Sequence, residues 1–229
     1  MDNTLFLILK TARPRQWIKN LSLYAALVFS GFLFYNFPAY FFQVSKAFLL
    51  FCLLSSCVYI VNDVIDVAQD RLHPFKKMRP IASGKLPIPI ALFAAVVGFV
   101  TVIFFSLTFS PFFLLLALSY ATLHMLYSVK LKHIPILDVL AIATGFVIRV
   151  YAGAVVVNLH MSVWFLLTVI SASLFLAVGK RQSERTLMQG KVETRKILEH
   201  YSQRLLDIYT GMFANTTWLT YALYAFQQD

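Results

Sequence analysis

Asp63, Asp66 and Asp70 close a long apolar segment in the stretch "YIVNDVIDVAQDRLHPFKKMRPIASGKL", Tyr59–Leu86. On an α-helix, at about 100° per residue, the spacing i, i+3, i+7 keeps all three within an arc of about 60°. Three carboxylates on one face repel one another unless a cation sits among them. Hard oxygen ligands suit Mg²⁺, which keeps several waters and takes phosphate oxygens as further ligands. Asn62 adds an amide beside them, and Lys76, Lys77 and Arg79 follow at once. Those cations suit the charge left on a bound phosphate or diphosphate. The pattern reads as a metal–diphosphate site, with Asp63 and Asp66 nearest the metal and Asp70 a ligand directly or through water. A helix end with solvated salt bridges is the alternative. The loop "RPIASGKLP", punctuated by Pro80, Gly84 and Pro87, reads as a closing lid that carries Arg79 and Lys85. For Lys85 a plain connector is an equal reading.

The elements that must hold these residues are membrane helices. Of 229 residues 59% are hydrophobic, and the mean hydropathy is +0.73. Apolar runs of about 20 residues recur, each long enough to cross a bilayer, and the short alternating segments of a barrel are absent. The fold class is therefore an all-α integral membrane protein. Seven spans are drawn at 18–38, 45–64, 87–108, 111–128, 136–157, 162–180 and 205–226. The start, "MDNTLFLILKTARPRQWIKN", places its basic residues after a short apolar run. It reads as an amphipathic surface helix, not a cleavable signal. Cys52 and Cys57 point about 140° apart on one helix and read as small buried hydrophobes. The five histidines show no metal-ligand spacing, and His124 reads as a packing residue within a span.

With these spans, 18 of the 20 basic residues fall on one side of the membrane. The positive-inside rule makes that side cytoplasmic, and the aspartates lie on it. The net charge of +10 reads as topology with attraction to anionic lipid, or as recognition of an anionic substrate. It is not read as nucleic-acid binding. Arg149 falls inside a span, where a charge requires a partner or a wet cavity. Asp138 on the same helix is about 16 Å away, too far to pair. Arg149 is either a cavity-facing substrate contact or a structural arginine bonded to helix ends. Lys130 and Lys132 flank a turn beside Tyr127 and suit a phosphate. Arg13, Arg15 and Lys19 either hold a lipid phosphate or anchor the surface helix. The segment Lys191–Arg204 reads as solvated.

The motif "NDVIDVAQD" has the N-D-x-x-D-x-x-x-D form of the UbiA superfamily of intramembrane prenyltransferases. Four blocks together resemble one branch, the decaprenyl-phosphate phosphoribosyltransferases of cell-wall arabinan precursor synthesis: "RPRQWIKN" (Arg13–Asn20), "NDVIDVAQDRLHPFKKMRPIASG" (Asn62–Gly84), "YSVKLKHIPILDVLAIATGFVIRVYAGA" (Tyr127–Ala154) and "LFLAVGKRQSE" (Leu174–Glu184). The resemblance covers most of the chain as one domain, 1–229. It implies a nine-helix bundle around a cavity open to the bilayer, of which this chain is expected to lack the last two helices. It implies Mg²⁺ as cofactor, 5-phosphoribosyl 1-diphosphate as donor and a polyprenyl phosphate as acceptor, with diphosphate leaving.

Prenyl-transferring relatives carry a second aspartate motif where this chain reads "GKRQSER". Lys180 and Arg181 suit a second phosphate there, with Glu184 orienting one of them or touching ribose hydroxyls. The acidic motif closes the second span and this segment closes the sixth, an echo expected of two related bundles. A prenyltransferase with a prenyl diphosphate donor is the alternative enzyme. A transporter of phosphorylated metabolites is the alternative class, but its charges belong near the bilayer midplane.

Overall fold

The computed structural model describes residues 3–35, 37–188 and 201–228, and all regular structure among them is helical. Asn3 caps helix α1 (Thr4–Ala12), accepting from the Leu5 N–H at 3.1 Å. The helix closes at Arg13, whose left-handed backbone (φ 54°) turns the chain. Leu5, Phe6 and Leu9 are exposed while Leu7, Thr11 and Ala12 are buried, which is the two-sided pattern of a surface helix.

The first drawn span, 18–38, is not one continuous helix. Pro14 opens a 3₁₀ helix, η1 (Pro14–Tyr24), followed by the short helices α2 (Ala25–Phe29) and α3 (Phe32–Tyr35). Hydropathy marks this stretch as apolar, but its polar side chains recur at a different period. A 3₁₀ helix stacks residues three apart, so Trp17, Asn20 and Leu23 form one edge. That edge runs along α4 (Ala39–Ile65). The Trp17 indole donates to Ser56 Oγ at 3.0 Å, and the Asn20 amide reaches Ser55 Oγ at 3.3 Å and Cys52 Sγ at 3.4 Å. Tyr24 Oη and Ser45 Oγ are 2.7 Å apart, and Leu23 and Asn20 are fully buried. Gly31 (φ 74°) separates α2 from α3.

The remaining α-helices among the described residues are α5 (Val67–Leu72), α6 (Ile88–Ser106), α7 (Pro111–Val129), α8 (Leu137–Val156), α9 (Val163–Met188) and α10 (Gln203–Gln228). Pro111 opens α7 as expected, and Ser110 Oγ accepts the Phe113 N–H at 3.1 Å. Among the described residues, five helices are long and apolar enough to cross a membrane: α4, α6, α7, α8 and α9. Helix α10 occupies the seventh drawn position with a more polar composition.

The chain forms two compact units, Met1–Met125 with Tyr151–Leu159, and Leu126–Val150 with His160–Asp229. In the first, α4 and α6 bury Cys57, Ile60, Ala91 and Ala95 with Leu7 of α1. Both cysteines are free and buried, and the His124 ring packs 4.3 Å from Tyr120. At Gly153 a Cβ would stand 1.9 Å from the Leu23 carbonyl oxygen. Backbone cannot yield as a side-chain tip can. Gly153→Ala is expected to destabilise the protein by about 1–3 kcal/mol, the cost of overpacking. Thermal denaturation in detergent reads this directly, and an unchanged midpoint would contradict the packing. In the second unit, Val139, Ala143, Ala177, Val178, Tyr201 and Leu206 join α8, α9 and the start of α10.

Candidate functional site

The first unit gathers its charges at the end of α4. The acidic motif does not sit on one unbroken helix. Helix α4 ends at Ile65, Asp66 (φ −85°, ψ 4°) forms the joint, and α5 resumes at Val67. Helical bonding continues through the joint, with Asp66 N to Asn62 O at 2.9 Å and Asp70 N to Asp66 O at 2.8 Å. Asp63 and Asp70 therefore stay on one side, 2% and 3% exposed, while Asp66 is half-buried. Arg79 Nη1 donates to both buried carboxylates, to Asp63 Oδ1 at 3.1 Å and Asp70 Oδ2 at 2.5 Å. Arg13 Nη2 donates to the same Asp63 oxygen, with its guanidinium carbon 5.0 Å above the Tyr59 ring centroid. Lys76 Nζ lies 4.0 Å from Asp70 Oδ1.

Two pieces of local structure aim the arginines. The polar edge of η1 fixes the chain just after Arg13. The loop after α5 is packed, and it is not the free lid expected. Arg71 Nε donates to Ala82 O at 3.3 Å, and Leu86 N to Pro80 O at 2.9 Å. Gly84 supplies the left-handed turn (φ 77°). Ile81 and Leu86, each 1% exposed, plug into the core. The loop backbone is thus held while the Arg79 side chain points at the carboxylates.

Among the described residues no three His, Cys, Asp or Glu side chains gather in a metal-binding arrangement. The expected three-carboxylate set is instead two carboxylates converging on one arginine nitrogen. The donor set still fits a hard divalent ion. Two buried carboxylate oxygens already face a single point of positive charge, and such an ion completes its shell with water and phosphate. Of the other candidates in this unit, Lys77 and Arg15 are exposed, and Asn62 and Lys19 are half-buried. Arg13, left open between lipid phosphate and anchor, is a partner of the aspartates.

The second unit holds a buried network. Arg181 is fully buried, with Nε 2.5 Å from Asp138 Oδ2, Nη1 2.5 Å from Glu184 Oε2 and Nη2 3.0 Å from Tyr127 Oη. Tyr201 Oη donates to Asp138 Oδ1 at 2.6 Å and accepts the Ile136 N–H at 2.6 Å. Arg181 was expected to face a phosphate. Its guanidinium nitrogens lie beside Asp138, Glu184 and Tyr127 instead. Glu184 is one of the residues that face it. Lys180 and Lys130 are exposed, and Lys132 and Tyr127 are half-buried. Arg149 is buried on α8, donates to the Gly145 carbonyl at 2.9 Å and lies 5.5 Å over the Phe146 ring centroid. The Gly145 carbonyl belongs to the interior of α8, not to a helix end. Lys191, Arg195 and Lys196 lie outside the described residues.

Burial, then the hydrogen bond to Asp138, pushes the Tyr201 phenol up to about 12 from an ordinary value of 10.0. The sign follows from which state ionises first. Below pH 10 the phenol is protonated in folded and unfolded chains alike, and its contribution to stability is complete. As pH rises from 10 toward 12 the unfolded chain ionises first, and stability falls. Tyr201→Phe is expected to flatten this alkaline loss. Denaturation midpoints between about pH 8 and about pH 11, on either side of the ordinary tyrosine value, compared with the parent, check it; parallel profiles would remove the assignment.

The model of the UbiA prenyltransferase family matches residues 21–225. Decaprenyl-phosphate phosphoribosyltransferase of Mycobacterium tuberculosis (strain ATCC 25618 / H37Rv) is 36% identical over 225 residues, covering 97% of this chain and 74% of that protein. The protein of the same name from Mycolicibacterium smegmatis is 37% identical over 226 residues, covering 97% and 71%. Among solved structures, a UbiA homolog from Archaeoglobus fulgidus bound to GPP and Mg²⁺ superposes with a TM-score of 0.72 at 17% identity, covering 96% of this chain and 77% of that one.

Proposed function

Since the chain belongs to the UbiA prenyltransferase family, we propose that it transfers 5-phosphoribose from phosphoribosyl diphosphate to a polyprenyl phosphate, the decaprenyl compound or a close analogue, and releases diphosphate. The observation that carries this reading is the likeness to the phosphoribosyltransferases, sustained over 97% of the chain. The paired buried carboxylates with three cations around them support it, because that charge set suits a metal-bound diphosphate.

In this reading Asp63 and Asp70, with Asp66 at the joint, hold Mg²⁺ together with the donor diphosphate. When bound, Mg²⁺ supplies positive charge to the oxygens on which negative charge grows as diphosphate departs. Arg79 and Lys76 take up the phosphate oxygens and hold them more strongly as that charge grows. The acceptor phosphate is already an anionic nucleophile at the anomeric carbon, so its positioning matters more than a general base. Within the second unit, Tyr127, Lys130, Lys132 and Lys180 are side chains of the kind that suits a phosphate group. Arg181 positions Tyr127 through Nη2. The concentration of basic residues on one side puts the aspartates at the cytoplasmic face of a multi-pass membrane protein.

The test is incubation of membranes containing the protein with labelled phosphoribosyl diphosphate and decaprenyl phosphate, with Mg²⁺ and with a chelator. Labelled lipid is expected only with Mg²⁺. Transfer from a prenyl diphosphate, with none from phosphoribosyl diphosphate, would overturn the donor assignment.

A further inference from the structure

The geometry points to Arg79 as a resident counter-cation that makes metal binding depend on the diphosphate: the site takes a metal–diphosphate complex and disfavours the bare metal. This rests on the reading of Asp63 and Asp70 as the metal-holding carboxylates. One atom, Arg79 Nη1, lies 3.1 Å from Asp63 Oδ1 and 2.5 Å from Asp70 Oδ2. It stands where a cation bridging the two carboxylates would stand. Both carboxylates are nearly excluded from water, so the positive charge beside them is strongly held.

The charge count decides the order of binding. Asp63, Asp66 and Asp70 bring three negative charges, and Arg13, Arg79 and Lys76 bring three positive ones. A bare divalent ion therefore meets a neutral cluster and must displace a guanidinium. A metal–diphosphate complex brings its own negative charge, which gives the displaced Arg79 and Lys76 a new partner. Arg13 contacts Asp63 without bridging to Asp70, and it rests on Tyr59. It remains as the fixed cation while Arg79 changes partner. The loop backbone does not need to move, because Ile81 and Leu86 anchor it and rotation of the Arg79 side chain suffices. A site that refuses bare metal avoids filling before the donor arrives.

The experiment measures Mn²⁺ binding to the purified full chain by electron paramagnetic resonance, without donor. Arg79→Gln is expected to bind Mn²⁺ more tightly than the parent, by on the order of ten-fold or more. Adding Asp70→Asn is expected to abolish the gain. Equal or weaker Mn²⁺ binding by Arg79→Gln would overturn the proposal. A second measurement uses the unaltered chain, in case that variant folds poorly. Phenylglyoxal labelling of Arg79, read by mass spectrometry, is expected to rise several-fold with saturating Mn²⁺ alone, while labelling of Arg13 stays level. Unchanged labelling or protection of Arg79 would also overturn it. Neither measurement involves a donor sugar. A chain that fails to transfer phosphoribose yet shows these binding changes would refute the donor assignment and leave the counter-cation standing.

Discussion

Asp63→Asn is expected to lower phosphoribosyl transfer by on the order of 10³-fold, several kcal/mol of transition-state stabilisation. The side chain keeps its size but loses the charge that two arginines share. Asp63 takes Arg13 and Arg79 on a single oxygen. An amide there offers a weaker ligand to a metal and a weaker acceptor to both guanidinium groups. Asp66→Asn is expected to lower the rate less, because Asp66 is half-buried at the joint, whereas the Arg79 contact joins Asp63 to Asp70. The measurement is initial rate at saturating donor and Mg²⁺, with the melting midpoint of the same preparation as control. Near-parent turnover in either variant, with the fold intact, would show that the carboxylates are not the clamp. A chain that does not fold would be followed by Asp63→Glu, which restores charge at a slightly different reach. Partial recovery of rate with that variant is the expected outcome.

Much of this site was legible because its residues are neighbours in sequence. The acids and the cations after them lie within one short stretch, and carboxylates beside phosphate-binding cations have few other uses in an apolar chain. The long helices α4 and α6–α9 were legible for a similar reason, since hydropathy reads length and apolarity directly. The first span was misread because a hydropathy window averages over period. Trp17, Asn20 and Leu23 are three apart, and that repeat suits a 3₁₀ edge against α4, not a lipid-facing α-helix. Arg13 was ambiguous because its partner is fifty residues away in the chain, a distance no local pattern spans. The loop after α5 looked like a lid because proline and glycine punctuate it. Ile81 and Leu86, two ordinary apolar residues, decide otherwise by entering the core.

The pairing of Asp138 with Arg181 was also missed, although the hairpin of α8 and α9 contains the clue. The segments Asp138–Val156 and Val163–Arg181 have equal lengths on either side of a short connector. The outer ends of these segments carry Asp138 and Arg181, which meet within the second unit. The consequence is a change in what Arg181 variants should do. Arg181→Met is expected to destabilise the protein by about 3–5 kcal/mol, because Asp138 would keep its charge at full burial without its cation. Asp138→Asn is expected to cost less, since Arg181 retains Glu184. In the double variant Asp138→Leu with Arg181→Met, neither charge is left buried alone. Its stability is expected to lie closer to the parent than that of Arg181→Met, an interaction energy that a double-mutant cycle reads directly. Denaturation of the detergent-solubilised protein gives the stabilities, and donor Michaelis constants on the folded fraction give the functional comparison. If Arg181 instead held a donor phosphate, its loss would raise the donor constant many-fold and leave stability nearly untouched. That pattern would return Arg181 to the phosphate pocket. A large stability loss with a rescuing partner change would place it in the scaffold that holds Tyr127.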